Sequence, residues 1–168
     1  MEDGGQAVTT LLLIRHGIAE DFRPGAPDSE RALTEEGWAK TRAAMKGLVA
    51  KGFTPARGIS SPYRRALETM ACLKEAAGNS FPVGYSELFT PEGDPADTEA
   101  WLRTMMRGAK EDEVIAFTSH QPLVGDLVAR LTGRYLDIKK ASCTVVEWNG
   151  SGWVFRKHFA PSELRGEA

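Results

Sequence analysis

Four consecutive large aliphatic residues, Leu11-Leu12-Leu13-Ile14, follow Thr9-Thr10 and stop abruptly at Arg15-His16-Gly17. A run without polar alternation has no solvent face, so as a strand it must be covered on both sides. It is far short of the roughly 20 apolar residues that a membrane span requires. A second run of this kind, Val114-Ile115-Ala116-Phe117-Thr118, stops at Ser119-His120. Segments of helical periodicity lie between and after these runs. Strands buried on both faces and alternating with helices predict one α/β domain, a three-layer α/β/α arrangement around a largely parallel sheet.

The helices announce their own ends. Thr34 reads as an N-cap, with Glu35 and Glu36 in the first turn, where the helix dipole favours acids. Trp38, Thr41, Met45, Leu48 and Val49 form its buried stripe, and Gly52 its stop. Ser61-Pro62 reads as the opening of a second helix, with Ser61 as N-cap and Pro62 at the first helical position. Tyr63, Ala66, Leu67, Met70, Leu73 and Ala77 would face the core. Asp94-Pro95 opens a third helix that stops at Gly108, and Pro122 a fourth that stops at Gly133. Short strands fit Arg57–Ser60 and Pro82–Tyr85. The Gly-rich turn Asn149-Gly150-Ser151-Gly152 between Thr144–Trp148 and Trp153–Arg156 reads as a hairpin. The expected domain spans residues 8–160, with flexible termini at 1–7 and 161–168.

Charge and cysteine content narrow the function classes. The chain has 21 Lys+Arg against 23 Asp+Glu, a formal net charge of -2 over 168 residues. That balance argues against bulk attraction to nucleic acid or to an anionic membrane. Cys72 and Cys143 are far apart and lack CxxC spacing, so they read as small buried hydrophobes in a reducing compartment. The leader Met1-Glu2-Asp3-Gly4-Gly5-Gln6 is acidic, unlike a signal peptide, and the expected location is cytoplasmic.

Three junctions carry the chemistry. They are Arg15-His16-Gly17, Ser60-Ser61-Pro62-Tyr63-Arg64-Arg65-Ala66 and Ser119-His120-Gln121-Pro122. Sites in open α/β sheets form beyond the carboxyl ends of the strands, so two of the three histidines fall where a site is expected. Guanidinium forks suit phosphoryl oxygens. A neutral imidazole among them can attack phosphorus, and a second can donate a hydrogen bond to the same oxygens. Gly17 removes a side chain where the backbone would approach a phosphate. This set requires no metal or other cofactor, and there is no HExxH or carboxylate cluster to hold one.

These residues resemble the histidine phosphatase superfamily, also called phosphoglycerate mutase-like. Leu13-Ile14-Arg15-His16-Gly17 is similar to its RHG signature. Ser61-Pro62-Tyr63-Arg64-Arg65-Ala66-Leu67-Glu68-Thr69 is similar to S-P-x-x-R-A-x-x-T, in whose register Arg65, not Arg64, binds phosphate. Ser119-His120-Gln121-Pro122-Leu123-Val124-Gly125 resembles the second-histidine motif. The short interval from Arg65 to His120 leaves no room for the large helical insertion of the acid phosphatases and phytases. It resembles the branch of the SixA phosphohistidine phosphatases, as do Asp28–Thr34 and Glu87–Asp94. The chain departs from the broader pattern at Met70, where alanine usually follows the threonine.

The resemblance implies a phosphoglycerate mutase-like fold and a metal-independent phosphatase. His16 would be the nucleophile, forming a phosphohistidine intermediate that water hydrolyses. Arg15 and Arg65 would clamp the phosphoryl group, with Gly17, His120 and Arg31 also at the substrate. Glu87 and Asp28 are the two candidates for general acid. Arg64 reads as a solvated neighbour and His158 as a packing residue. The expected partner is a phosphohistidine-bearing protein such as a phosphotransfer domain, or a small phosphorylated metabolite, with inorganic phosphate as product. A phosphomonoesterase or mutase of the same superfamily is the alternative, followed by a non-catalytic phosphate-binding module.

Overall fold

The structure, a computed structural model, describes residues 8–167. The expectation for residues 1–7 lies outside the described residues. Six strands form one sheet: β1 (Thr9–Arg15), β2 (Arg57–Ser60), β3 (Val83–Tyr85), β4 (Val114–Ser119), β5 (Cys143–Trp148) and β6 (Trp153–Phe159). Their spatial order is β3-β2-β4-β1-β5-β6. The β3-β2-β4-β1 portion is parallel, whereas β5 pairs antiparallel with both β1 and β6. The hairpin anticipated at the tail is present and extends the sheet beyond β1.

The unbroken apolar run of β1 divides between two cores. Leu12 and Ile14 meet Ala44, Met45 and Leu48 of α1 (Glu35–Ala50) and Met70 and Leu73 of α2 (Arg64–Ala76). Leu11 and Leu13 meet Leu102 and Met106 of α3 (Pro95–Arg107) and Val124, Leu127 and Val128 of α4 (Leu123–Thr132). The period-two alternation of a strand sends successive side chains to opposite faces, and helices cover both. This is the expected three-layer α/β/α arrangement. Among the described residues, no helix is long and apolar enough to cross a membrane.

Two sequence expectations require correction. The first concerns α2, which begins at Arg64 rather than at Ser61-Pro62. The Ser61 hydroxyl is engaged by the Tyr63 amide two residues on, and it also bonds to a histidine ring, so it does not cap the helix. Leu67 is exposed, whereas Arg65 and Thr69 are buried. The buried face of α2 is thus rotated toward polar side chains that serve the strand ends. Met70 is accommodated by a glycine on the strand beneath: a Cβ at Gly58 would stand 2.7 Å from Met70 Sδ and 2.9 Å from Phe81 Cε1.

The second correction concerns the carboxyl terminus. Pro161–Leu164 forms a short helix, α5, and buries Leu164 in the core beside α1. Apolar burial of Leu164 holds this turn against the body of the protein, so a boundary at residue 160 falls short. The contact is close: a Cβ at Gly47 would overlap the Leu164 carbonyl oxygen. Gly47→Ala should therefore displace α5 and cost about 1–3 kcal/mol of stability, as overpacking does. Urea denaturation would measure it, and a midpoint equal to wild type would contradict the packing described.

Candidate active site

The parallel register places the two histidines together. Arg15 of β1 pairs with Ser119 of β4, so His16 and His120 are each the next residue beyond a paired position. The His16 amide donates to the Ser119 carbonyl at 3.0 Å. The two rings lie 5.1 Å apart between centroids. Ser60 of β2 pairs with Thr118, which brings Ser61 and the start of α2 to the same edge. From there Arg65, 3% exposed, reaches back to the β1 end. Its Nε donates to His16 Nε2 at 3.3 Å. A cavity of about 250 Å³ is lined by Arg15, His16, Arg31, Arg65 and His120, together with Gln121 and Lys140.

Hydrogen bonding determines the tautomer of His16. Its Nδ1 lies 2.7 Å from the Gly17 carbonyl oxygen, which can only accept. The ring hydrogen is therefore on Nδ1, and Nε2 carries the lone pair, directed at the Arg65 guanidinium. Arg15 is anchored differently: one terminal nitrogen donates to the Ile138 carbonyl at 2.8 Å, and its Nε is buried without a protein partner. A larger depression of about 510 Å³, lined by Arg57, Lys110 and Glu113 among others, lies at the opposite ends of the strands. It holds no histidine, and Arg57 there is paired with Glu113 at 2.8 Å.

Comparison with known proteins gives this constellation its place. Residues 11–89 match the profile of the histidine phosphatase superfamily, branch 1. Similarity to whole proteins runs past that segment. The Escherichia coli K12 phosphohistidine phosphatase SixA is 26% identical over 159 residues, covering 92% of this chain and 96% of SixA. An uncharacterised Picosynechococcus protein is 31% identical over 135 residues, 78% of this chain and 80% of its own length. The solved structure of the protein histidine phosphatase SixA complexed with tungstate superposes with a TM-score of 0.79 at 27% identity, covering 92% of this chain and 99% of SixA.

The chain belongs to the histidine phosphatase superfamily. Within that superfamily it is a phosphatase of the SixA-like branch. A phosphoglycerate mutase from Bacillus anthracis shares the fold, with a TM-score of 0.78 at 14% identity, covering 96% of this chain and 97% of the mutase.

The electrostatics of the site keep both of its histidines uncharged. Burial is the main cause that lowers the His16 pKa, to about 3, aided by the positive charges of Arg65, Arg15 and Lys140 and opposed by the Gly17 carbonyl. His120, 1% exposed, is lowered to about 2 by burial and then by His16 and Arg65. Both rings are therefore neutral in the fold, whereas in the unfolded chain they titrate near pH 6.5. Below that pH the unfolded chain binds more protons. Stability present in full above pH 6.5 is thus lost as pH falls toward 3, by up to about 1.4 kcal/mol per histidine per unit. Thermal melts from pH 7.5 to 4.5 should show this decline, and His120→Gln should make it shallower. A slope identical to wild type in that variant would refute burial of a neutral imidazole.

The two acid candidates do not stand ready to give a proton. Asp28 accepts from Arg31 Nε at 2.7 Å and from an Arg65 terminal nitrogen at 3.0 Å, and its backbone carbonyl accepts from Arg65 at 2.8 Å. Partial burial would raise its pKa, but these arginines outweigh it and hold the carboxyl below its usual range. Asp28 is a carboxylate that braces two arginines. Glu87 is exposed on the 3-10 turn Glu87–Phe89 and does not line the cavity. Arg31 does reach the cavity, held by Asp28 and by the Glu20 carbonyl.

Gly17 is required for a reason the sequence did not suggest. A Cβ there would overlap Thr41 Oγ1 of α1, and its amide donates to Thr69 Oγ1 of α2 at 3.0 Å. The residue locks the β1 end between two helices, and its N–H is already engaged rather than free for a phosphate. Arg64 is exposed and paired with Glu68, while His158 bonds Thr144 across the β5–β6 pair, away from the cavity. Cys72 and Cys143 are buried free thiols, Cys72 pushed up to about 12 by burial.

Sequence reasoning missed Lys140, Gln121 and Tyr63. Lys140 is presented by a loop whose Ala141 takes a φ of 63° while its amide donates to the carbonyls of Arg15 and His16. Tyr63 stands between Arg65 and His120, its ring 5.1 Å from each, with its hydroxyl donating to Glu92 at 2.9 Å. A left-handed non-glycine residue is invisible in sequence, but adjacency of Gln121 to His120 was an available signal.

Proposed function

We propose that this protein removes the phosphoryl group from phosphohistidine on a signalling protein, with His16 as the nucleophile. His16 Nε2 attacks phosphorus, the substrate imidazole departs with the P–N electron pair, and a new P–N bond joins the group to His16. Water then attacks that phosphorus, His16 leaves, and inorganic phosphate is released. Arg15 and Arg65 hold the phosphoryl oxygens, while His120 and Arg31 bear on the growing charge. No step draws on a metal or another cofactor.

One observation carries the substrate class: among the described residues the cavity lining contains no carboxyl group, and Asp28, bonded to two of the lining arginines, is held ionised by Arg31 and Arg65. An alkoxide leaving group needs a proton from a firm acid. An imidazole takes its own proton near pH 6.5 and leaves with less help. The likeness to SixA supports the same class. Two buried free thiols fit a reducing compartment such as the cytoplasm.

The test is a competition among substrates in metal-free buffer, with a phosphohistidine-bearing phosphotransfer domain, a panel of phosphate esters and 3-phosphoglycerate. Release from the phosphotransfer domain at least tenfold faster than from any ester is expected. A preference for an ester would replace this reading with a small-molecule phosphatase.

A further inference from the structure

We propose that Ser61 is a positioning residue that sets the tautomer of His120, so that Nδ1–H is the ring group offered to the phosphoryl oxygens. The proposal rests on reading this cavity as the phosphoryl-transfer site, and it follows from the hydrogen bonds of one buried wall.

Ser61 is fully buried, and each of its polar groups can be assigned. Its amide donates to the Thr118 carbonyl at 2.9 Å. Its carbonyl accepts from the Ser60 hydroxyl at 2.7 Å, and that hydroxyl in turn accepts from Thr118 Oγ1 at 2.8 Å. The Ser61 hydroxyl accepts the Tyr63 amide at 3.1 Å and lies 2.8 Å from His120 Nε2. One hydroxyl hydrogen remains to be placed, and His120 Nε2 is the group within bonding distance that can take it.

The opposite assignment fails. If Nε2 carried the ring hydrogen it would donate to Ser61 Oγ, and the Ser61 hydrogen would be left without an acceptor in the interior, an arrangement that costs free energy. With Ser61 as donor, the hydroxyl hydrogen is paired with Nε2, and the ring group left for an incoming acceptor is His120 Nδ1. A neutral imidazole that accepts at Nε2 bears its hydrogen on Nδ1. His120 Nδ1 is buried and has no protein partner. It belongs to a ring that lines the same cavity as His16. A buried donor without an acceptor, beside a nucleophile, suits an anionic oxygen that arrives with the substrate.

The two histidines thus share one tautomer and take opposite parts. Gly17 draws the His16 hydrogen to Nδ1 and leaves a lone pair for attack. Ser61 sends the His120 hydrogen to Nδ1 and leaves a donor for charge that develops in the transition state. Ser61 reaches the reacting atoms only through His120.

Side-chain ¹⁵N NMR reads the tautomer directly in the wild-type protein without substrate. The chain has three histidines, so His16→Gln, His120→Gln and His158→Gln assign the signals. The expected pattern for His120 is Nδ1–H with Nε2 unprotonated, and Nε2–H would overturn the proposal. Ser61→Ala should move His120 away from Nδ1–H and lower kcat about tenfold to hundredfold, with KM changed less than twofold. Ser61→Thr, which keeps the hydroxyl, should restore both. A lower kcat with an unchanged tautomer, or a changed tautomer with unchanged kcat, would reject the assigned role. Should Ser61→Ala not fold, Ser61→Cys takes its place. Activity is measured on whichever substrate of the panel above turns over fastest. Failure of the phosphohistidine reading would thus appear in the panel, and failure of the Ser61 assignment in the spectrum.

Discussion

Replacing His16 with alanine is expected to abolish turnover, with kcat reduced at least about 10⁴-fold, the scale on which removal of a nucleophile acts. The expectation follows from a lone pair and a charge state. His16 Nε2 is unprotonated because Gly17 accepts the Nδ1 hydrogen. Burial and the neighbouring cations keep the ring neutral, since lowering its pKa to about 3 leaves almost none protonated at pH 7. Rapid quench with ³²P-labelled substrate should trap acid-labile, base-stable label on the wild-type protein and none on His16→Ala. Inorganic phosphate should still bind the variant, because Arg15 and Arg65 remain. Labelled protein in the variant, or turnover within tenfold of wild type, would rule out His16 as the nucleophile.

Arg65→Lys is expected to lower kcat/KM by about 10²–10³, despite conserving the charge. Arg65 bonds three acceptors at once: His16 Nε2, the Asp28 carbonyl and the Asp28 carboxylate. A planar fork can span these positions, and a single ammonium cannot. Losing one preorganised charge contact in a water-poor site has this magnitude in other enzymes. Asp28 is also left with Arg31 as its remaining ion-pair partner, so the loop carrying Asp28–Glu30 should loosen. Steady-state kinetics together with the inhibition constant for inorganic phosphate would measure the effect. A variant with near wild-type kcat/KM would place the phosphoryl group elsewhere in the cavity.

Much of the scaffold was legible because its signals are local. Leu11–Ile14 could be read as doubly covered from its lack of alternation, and the two cores that split β1 bear this out. Thr34 could be read as a cap, and its hydroxyl accepts from the Gly37 amide at 2.9 Å. The same rules failed at Ser61, where a residue of capping type is engaged by a histidine 59 positions away. They failed again at Leu67, since helical periodicity finds a stripe but does not say which polar side chains the sheet edge will draw inward.

The sequence by itself determined a layered α/β chain in which two histidines follow strand ends, one arginine beside the first and another opening a helix, together with the family to which such motifs belong. Tertiary structure alone decided what each of those groups can do. The β1–β4 register sets the two rings 5.1 Å apart. Contacts from Arg31 and Arg65 turn Asp28 from a candidate acid into an ionised brace. Packing against Thr41 makes Gly17 a glycine. The physical reason is range: apolar patterning and capping act within a few residues, whereas tautomer and protonation state depend on partners tens of positions away and on how dry the fold makes their surroundings.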